Sequence, residues 1–546
     1  MHHSHSLTGV DSNQESFDAI VIGAGHNGLT CAGYLARAGL SVKILEQRNV
    51  VGGAALTEEF HPGFRNSVYS YVVSLLDPVV IRDLDLGRHG LTILERPAGS
   101  FLPLPDARFL HVPRDPAGAR AAIERHSRKD AAVHETFEQR LSAVASVLRE
   151  AALRPPPNFG GGWRDLLGAA GMANRLRRLD GEAQAILAEL FTKSVGDYLD
   201  QWFESDALKG LYGFEGIVGN FVGPYHPGSA YVLLHHAFGQ TQGRGGAWGH
   251  ARGGMGAITQ AMARSAAARG VDIELEARVR EVLVDGDRAS GVRLADGRTL
   301  KANIVAGNVN PRLLFLEMLD PALLPEDFVR RLRAWRCGSG TFRMNVALSE
   351  LPRFACLAGA ENPETFLNST IDICPSLDYI QRAYDDAKQA GWARRPIVSM
   401  CIPSTLDDSL APAGAHVASL FCQHFNPDLP DGRSWDDVRE TVADLVIDTV
   451  EEHAPGFRAS VLGRQIKTPL DLERDLGLVG GDIFHGALHL DQIYSLRPAA
   501  GYAAYRAPVK GVYLCGSGAH PGGGVSGLPG RNAALRILAD RRKLRT

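Results

Sequence analysis

The chain has 546 residues, 45% of them hydrophobic and 22% charged, with a formal net charge of −3. That length exceeds what one hydrophobic core serves, so two or more domains are expected, and the near-neutral charge offers no general field to attract nucleic acid. No run of about 18 uninterrupted apolar residues occurs, which leaves peripheral contact as the only membrane mode to expect.

The opening MHHSHSLTGVDSNQES is polar and lacks an apolar h-region, so residues 1–16 read as a disordered tail rather than as a leader or a metal-binding tract. DAIVIG then reads as a buried parallel strand, continuously apolar and stopped by a turn. It runs into Gly23, Gly25 and Gly28. In a strand, GxGxxG, helix unit the first glycine makes the tight turn, the second admits a pyrophosphate and the third lets helix pack on strand. Leu29, Ala32, Leu35 and Ala36 give the following helix its small apolar face, and Gly39 stands where a C-terminal cap belongs. SVKILE is the next strand and ends on Glu46, 18 residues after Gly28, where a carboxylate accepts ribose hydroxyls and repels a ribose phosphate. The unit therefore predicts a dinucleotide without that phosphate, and by itself leaves FAD and NAD both open.

The continuation EQRNVVGGAALTEEFHPGFRNS separates them by resemblance. Arg48 and the Gly52-Gly53 pair, followed by Ala54, resemble the second glycine motif of the flavoproteins that include glutathione reductase, amine oxidases and carotenoid desaturases. In that family the segment wraps the pyrophosphate and runs alongside the flavin, so the resemblance implies FAD. The stretch from Gly253 to Pro311 reads as a helix and several short strands with turns at Asp285-Gly286-Asp287 and Asp296-Gly297. It is similar to the part of the same family where the nucleotide domain resumes, and Val279 matches the residue whose backbone meets adenine.

GVYLCGSGAHPGGGVSGLPGRNAALRIL, from Gly511 to Leu538, repeats the grammar of strand, glycine loop and helix. It resembles the HPGGG motif of bacterial phytoene desaturases and their relatives. GPYHPGSAYVLLHH and GGDIFHGALHLDQIYSLRP look more particularly like one phytoene desaturase-related branch, over nearly the whole chain after residue 17. The resemblance implies an α/β fold: a Rossmann-like FAD-binding domain of the glutathione reductase/amine oxidase type, built from 17–105, 245–312 and 486–546. An α+β substrate domain is inserted as 106–244 and 313–485. It places Gly516, Ser517, Gly523, Gly524 and Val525 by the flavin, with serine at 517 where many relatives carry an acidic residue.

The implied activity is that of an FAD-dependent dehydrogenase, desaturase or isomerase, moving hydride between flavin N5 and an apolar, unsaturated small molecule, with oxygen or a quinone as acceptor. Flavin-dependent amine oxidation and a low-turnover, flavin-stabilised interaction protein are the alternatives. His520, beside the glycine loop, is the first candidate for proton handling, followed by Tyr225 and His236; His226, His235, His485 and His489 complete the set. Of these only His485 and His489 have HxxxH spacing, with a glycine between them, and the adjacent His235-His236 pair points to two different faces, so no metal is expected. The seven cysteines are scattered with no CxxC pair, which argues against disulfide chemistry, fits a cytoplasm-like compartment, and leaves Cys515 as core filler. Asp165–Leu179 combines small apolar and basic residues and reads first as a solvated surface helix, with an interfacial helix as the alternative.

Overall fold

The computed structural model describes residues 15–97, 99–237, 239–241, 244–245 and 248–545. Most of the expected tail lies outside these residues. At its end Ser16–Phe17 pairs in parallel with Lys301 and Ala302, so residue 16 belongs to a sheet.

Five parallel strands form the first layer, in the order Asp272–Glu274, Val42–Leu45, Ala19–Ile22, Val305–Gly307, Val512–Leu514. Every residue of Ala19–Ile22 and Val42–Leu45 is buried, as a strand covered on both faces requires. The helix His26–Arg37 buries Leu29, Ala32 and Leu35 against this sheet, and the helix Leu528–Arg545 lies on it. Their approach is close enough that a Cβ on Gly530 would stand 2.0 Å from the carbonyl oxygen of Asn27. Cys515 is fully buried beyond the last strand, and burial pushes its thiol well above the usual range, as suits a packing residue. A four-stranded sheet, Ser16–Phe17, Thr299–Ala302, Arg288–Leu294 and Val279–Asp285, contains the hairpin expected at Asp285-Gly286-Asp287.

The third sheet has seven strands: Val461–Lys467, Phe342–Leu348, His416–Phe425, Trp392–Cys401, Thr370–Ile373, Ser100–Pro103 and Phe109–Val112. The boundary expected at 105/106 falls inside its last hairpin, because the sheet takes the two strands at that end, Ser100–Pro103 and Phe109–Val112, from either side of it. One face is apolar: Phe342, Met344, Val346, Leu420, Val398 and Ile371 share a core with Val442, Val446 and Val450 of the helix Trp435–Glu451. The other face carries Arg343, Asn345, Ser419, Gln423, Ser399 and Asp372, all buried. A strict period of two puts these polar groups on one side. Helices Arg128–Ala152, Gly181–Thr192, Val195–Trp202, Asp206–Glu215, Ala230–Ala237 and Leu377–Ala390 build a separate core on Phe137, Leu208 and Leu233.

Candidate functional site

The two glycine loops, nearly 500 residues apart in sequence, are bonded to each other. His26 Nε2 lies 3.1 Å from the carbonyl oxygen of Gly524, and Asn27 Nδ2 donates to Ser517 Oγ at 3.1 Å. Burial pushes the His26 imidazole down to about 4, so it stays neutral at neutral pH.

The glycines leave room where side chains would close it. A Cβ on Gly28 would stand 2.0 Å from Gly23 O, and one on Gly25 would stand 2.9 Å from Asn308 Nδ2. Gly52, at φ +142°, bridges to Gly25 and donates to Ala24 O at 3.0 Å. The helix His26–Arg37 begins at Gly25 with no side-chain cap, so its first N–H groups are free to meet an anion. Beside it Glu46 accepts from the Ala24 and Arg48 N–H groups at 2.7 and 3.0 Å. Arg48 pairs with Glu58 at 3.0 Å, yet among the described residues its buried Nη1 has no partner, and neither has Asn27 Oδ1. The backbone of Arg48 and Glu46 accepts from Glu276 and Ala277 N–H groups, which brings Val279 to the same edge. This donor set, uncapped and partly unsatisfied, fits FAD. Asn308, which packs on Gly23, Gly25, Gly28 and Gly516 and donates to Gly23 O at 3.3 Å, belongs with it; its only sequence signal is its place after an apolar strand.

Next to the loops is a cavity of about 770 Å³, with His26, Ala54, Ser517, Gly524 and Val525 in its wall. Tyr71, Leu75, Phe421, Leu472, Leu478, Ile483 and Phe484 give it a broad apolar lining. His236 and His485 also border it.

The expected histidines and tyrosine separate accordingly. Tyr225 is 44% exposed, bonds Asp200 on the outer surface and is not in the wall. His520 is outside the wall too: its loop turns the ring toward the helix Arg128–Ala152, where Nε2 lies 3.2 Å from Ala151 O, and the ring meets Tyr494 edge-on. Gly523 does not face the cavity either, since a Cβ there would stand 2.1 Å from Phe484 Cδ1; Phe484 packs on it and forms the wall instead. His226 and His489 face each other at 5.5 Å and also lie outside the wall.

His485 is held most firmly. Its φ is +59°, a left-handed conformation uncommon outside glycine. Arg497, fully buried, clamps it in place by donating to Phe484 O, Gly486 O, Gln492 O and Ser517 O at 2.6 to 3.3 Å. Burial and the Arg497 charge push the His485 imidazole down to about 3, and its Nδ1 has no partner among the described residues. Burial also lowers Arg497, to about 10, leaving it cationic.

Comparison with known proteins supplies the family. The family described as Flavin containing amine oxidoreductase matches residues 28–341. Pyridine nucleotide-disulfide oxidoreductase domain-containing protein 2 of Rattus norvegicus is 41% identical, over 96% of this chain and 94% of its own. A lycopene-forming phytoene desaturase of Pseudescherichia vulneris is 27% identical over 93% of this chain and 96% of its own. Among solved structures, cyclohexylamine oxidase from Brevibacterium oxydans shares the fold with a TM-score of 0.59 at 16% identity, covering 97% of this chain and 100% of that one. The chain therefore belongs to the flavin containing amine oxidoreductase family, with FAD as its cofactor.

Proposed function

We propose that the chain is an FAD-dependent dehydrogenase, desaturase or isomerase whose substrate is an apolar, unsaturated small molecule bound in the part of the 770 Å³ cavity that the flavin ring leaves free. The observation that carries this reading is the shared wall: residues of both glycine loops border the same space as Leu75, Leu472, Leu478, Ile483 and Phe484. A cavity of this size and lining suits a largely hydrocarbon ligand.

In this reading Gly23, Gly25, Gly28, Arg48, Gly52 and Gly53 hold the pyrophosphate, Glu46 the ribose and Val279 the adenine. Ala54, Gly516, Ser517, Gly524 and Val525 sit along the ring. When bound, FAD supplies the two-electron acceptor for hydride leaving a substrate carbon, with oxygen or a quinone to reoxidise it. The chain's part is to orient the substrate, exclude water and hold the proton that leaves with the hydride. His485 is the group proposed for that proton, at Nδ1, because it borders the cavity and has a free acceptor position; Arg497 positions it. A neutral imidazole of low basicity is adequate where charge spreads over conjugated carbons, and less so for an amine or acyl substrate.

Among the described residues no helix is long and apolar enough to cross a membrane. Peripheral contact is proposed through Phe159, Trp163, Leu166 and Leu167, which are 62 to 69% exposed. An apolar substrate would then reach the protein from lipid.

Anaerobic mixing with polyenes, terpenoid alkenes and amines tests the function by bleaching of the flavin absorbance. Bleaching by an unsaturated hydrocarbon is expected, slowed about 10²-fold or more in His485→Ala with FAD content unchanged. Bleaching by amines alone would replace this reading with amine oxidation.

A further inference from the structure

The polar face of the seven-stranded sheet holds an unbroken cross-strand row. Arg343 pairs with Phe421, Phe421 with Ser399 and Ser399 with Asp372, so four neighbouring strands each bring one residue of the row to the same face. All four border the cavity. Arg343 and Asp372 are 2 and 3% exposed, so the cavity is their only outlet.

Their bonding is incomplete. Arg343 Nη2 donates to Ser419 Oγ at 2.7 Å, and its guanidinium lies 4.6 Å from the centre of the Tyr71 ring. Nε and Nη1 have no acceptor, and no carboxylate pairs with Arg343 among the described residues. Asp372 Oδ1 is equally without a partner. A buried guanidinium left with unmet donors is costly unless something meets them. Arg96, the other buried cation in the wall, already spends its donors on Thr370 Oγ1, Cys401 Sγ and Asn368 O.

Two kinds of headgroup could answer such a row, an anion at Arg343 or a cation at Asp372. The two residues differ in how they can escape their charge. Arginine keeps its proton, whereas a carboxyl can become neutral by taking one. Burial has moved Asp372 up to about 6 and Glu215, also in the wall, up to about 8, so Asp372 takes up a proton more readily than a free carboxyl while Arg343 keeps its own. A carboxylate bound at Arg343 would raise Asp372 further, and once protonated Asp372 donates to that anion and does not bind a cation.

We propose that the row Arg343, Ser399 and Asp372 is a headgroup site and that the substrate is an apolar, unsaturated chain ending in a carboxylate, its charge met by Arg343. This rests on the reading of the cavity as the apolar substrate site and adds a polar end to it.

The test uses the FAD-loaded protein at pH 7.5 and three probes with one chain, oleate, oleyl alcohol and oleylamine, each below its aggregation limit. Binding is read by calorimetry and by the flavin difference spectrum. Oleate is expected to bind about tenfold or more tighter than the alcohol, as a charge-assisted contact implies. That preference should vanish in Arg343→Gln, with affinity for the alcohol unchanged, and return in part in Arg343→Lys. Equal binding of acid and alcohol, or tightest binding of the amine, overturns the headgroup site while leaving the apolar cavity standing. Binding of none of the three overturns both. Should the glutamine variant fail to fold, the ranking of the three probes by the unaltered protein still decides.

Discussion

Glu46 shows how one side chain serves two levels of structure. Its carboxylate closes the first glycine loop through Ala24 and Arg48 N–H groups and is the group proposed for the ribose. Glu46→Ala is expected to weaken FAD retention by about 1.5 to 3 kcal/mol, roughly tenfold to a hundredfold in dissociation constant, measured by fluorescence titration of the apoprotein. Unchanged affinity would remove Glu46 from the cofactor site. This residue was legible because spacing after GxGxxG fixes it. His26, Asn27 and Asn308 were not, since their partners lie some 280 to 500 residues away and no local pattern announces such a bond. The orientation of His520 was not legible for a related reason. Adjacency to the glycine loop in sequence says which loop a ring is on, not which way it turns, and this one turns toward Ala151.

At the scale of elements, strands buried on both faces normally read as continuous apolar runs, so the polar members of RMNVAL and HVASLFCQHF look like defects in otherwise good strands. Their period of two is the signal that one face borders a cavity, and it becomes readable only once the pairing of Arg343 with Phe421 is known. The opposite anomaly is the helix Trp163–Leu176, in which not one described side chain is buried. A 14-residue helix gains most of its stability from packing, and this one leaves the face with Leu166 and Leu167 exposed among the described residues. Arg177 and Arg178 follow at its end. The protein is expected to cosediment with vesicles of phosphatidylglycerol and phosphatidylcholine, and the pair Leu166→Glu and Leu167→Glu is expected to reduce the bound fraction severalfold. A native protein that stays in the supernatant at low salt would exclude this helix as a membrane contact.

For the whole molecule, the nucleotide layer was the legible part because its strand, glycine and helix order is local, while the seven-stranded sheet joins Ser100–Pro103 to Thr370–Ile373 across some 270 residues and gives no local sign of doing so. The interior also has a collective electrostatic property. His26 and His520 are pushed down to about 4, and His235 and His424 to about 3, in each case chiefly by burial. An imidazole whose folded value lies below its unfolded value of about 6.5 supports the fold fully above that value and loses the contribution as pH falls toward the folded one. Asp372 and Glu215 act in the other direction, because at about 6 and about 8 they hold protons in the folded state that the unfolded chain has released. Near pH 5 these four histidines, with His485 at about 3 and His489 at about 4, outweigh the two carboxyls by about four protons, so stability should fall by about 5 kcal/mol per pH unit there. Urea unfolding followed at pH 7, 6, 5.5 and 5 measures that slope. A midpoint that holds constant over this range would mean these imidazoles are not buried as neutral groups, whereas His424→Phe, which removes one of them, is expected to flatten the curve below pH 6 relative to the native protein.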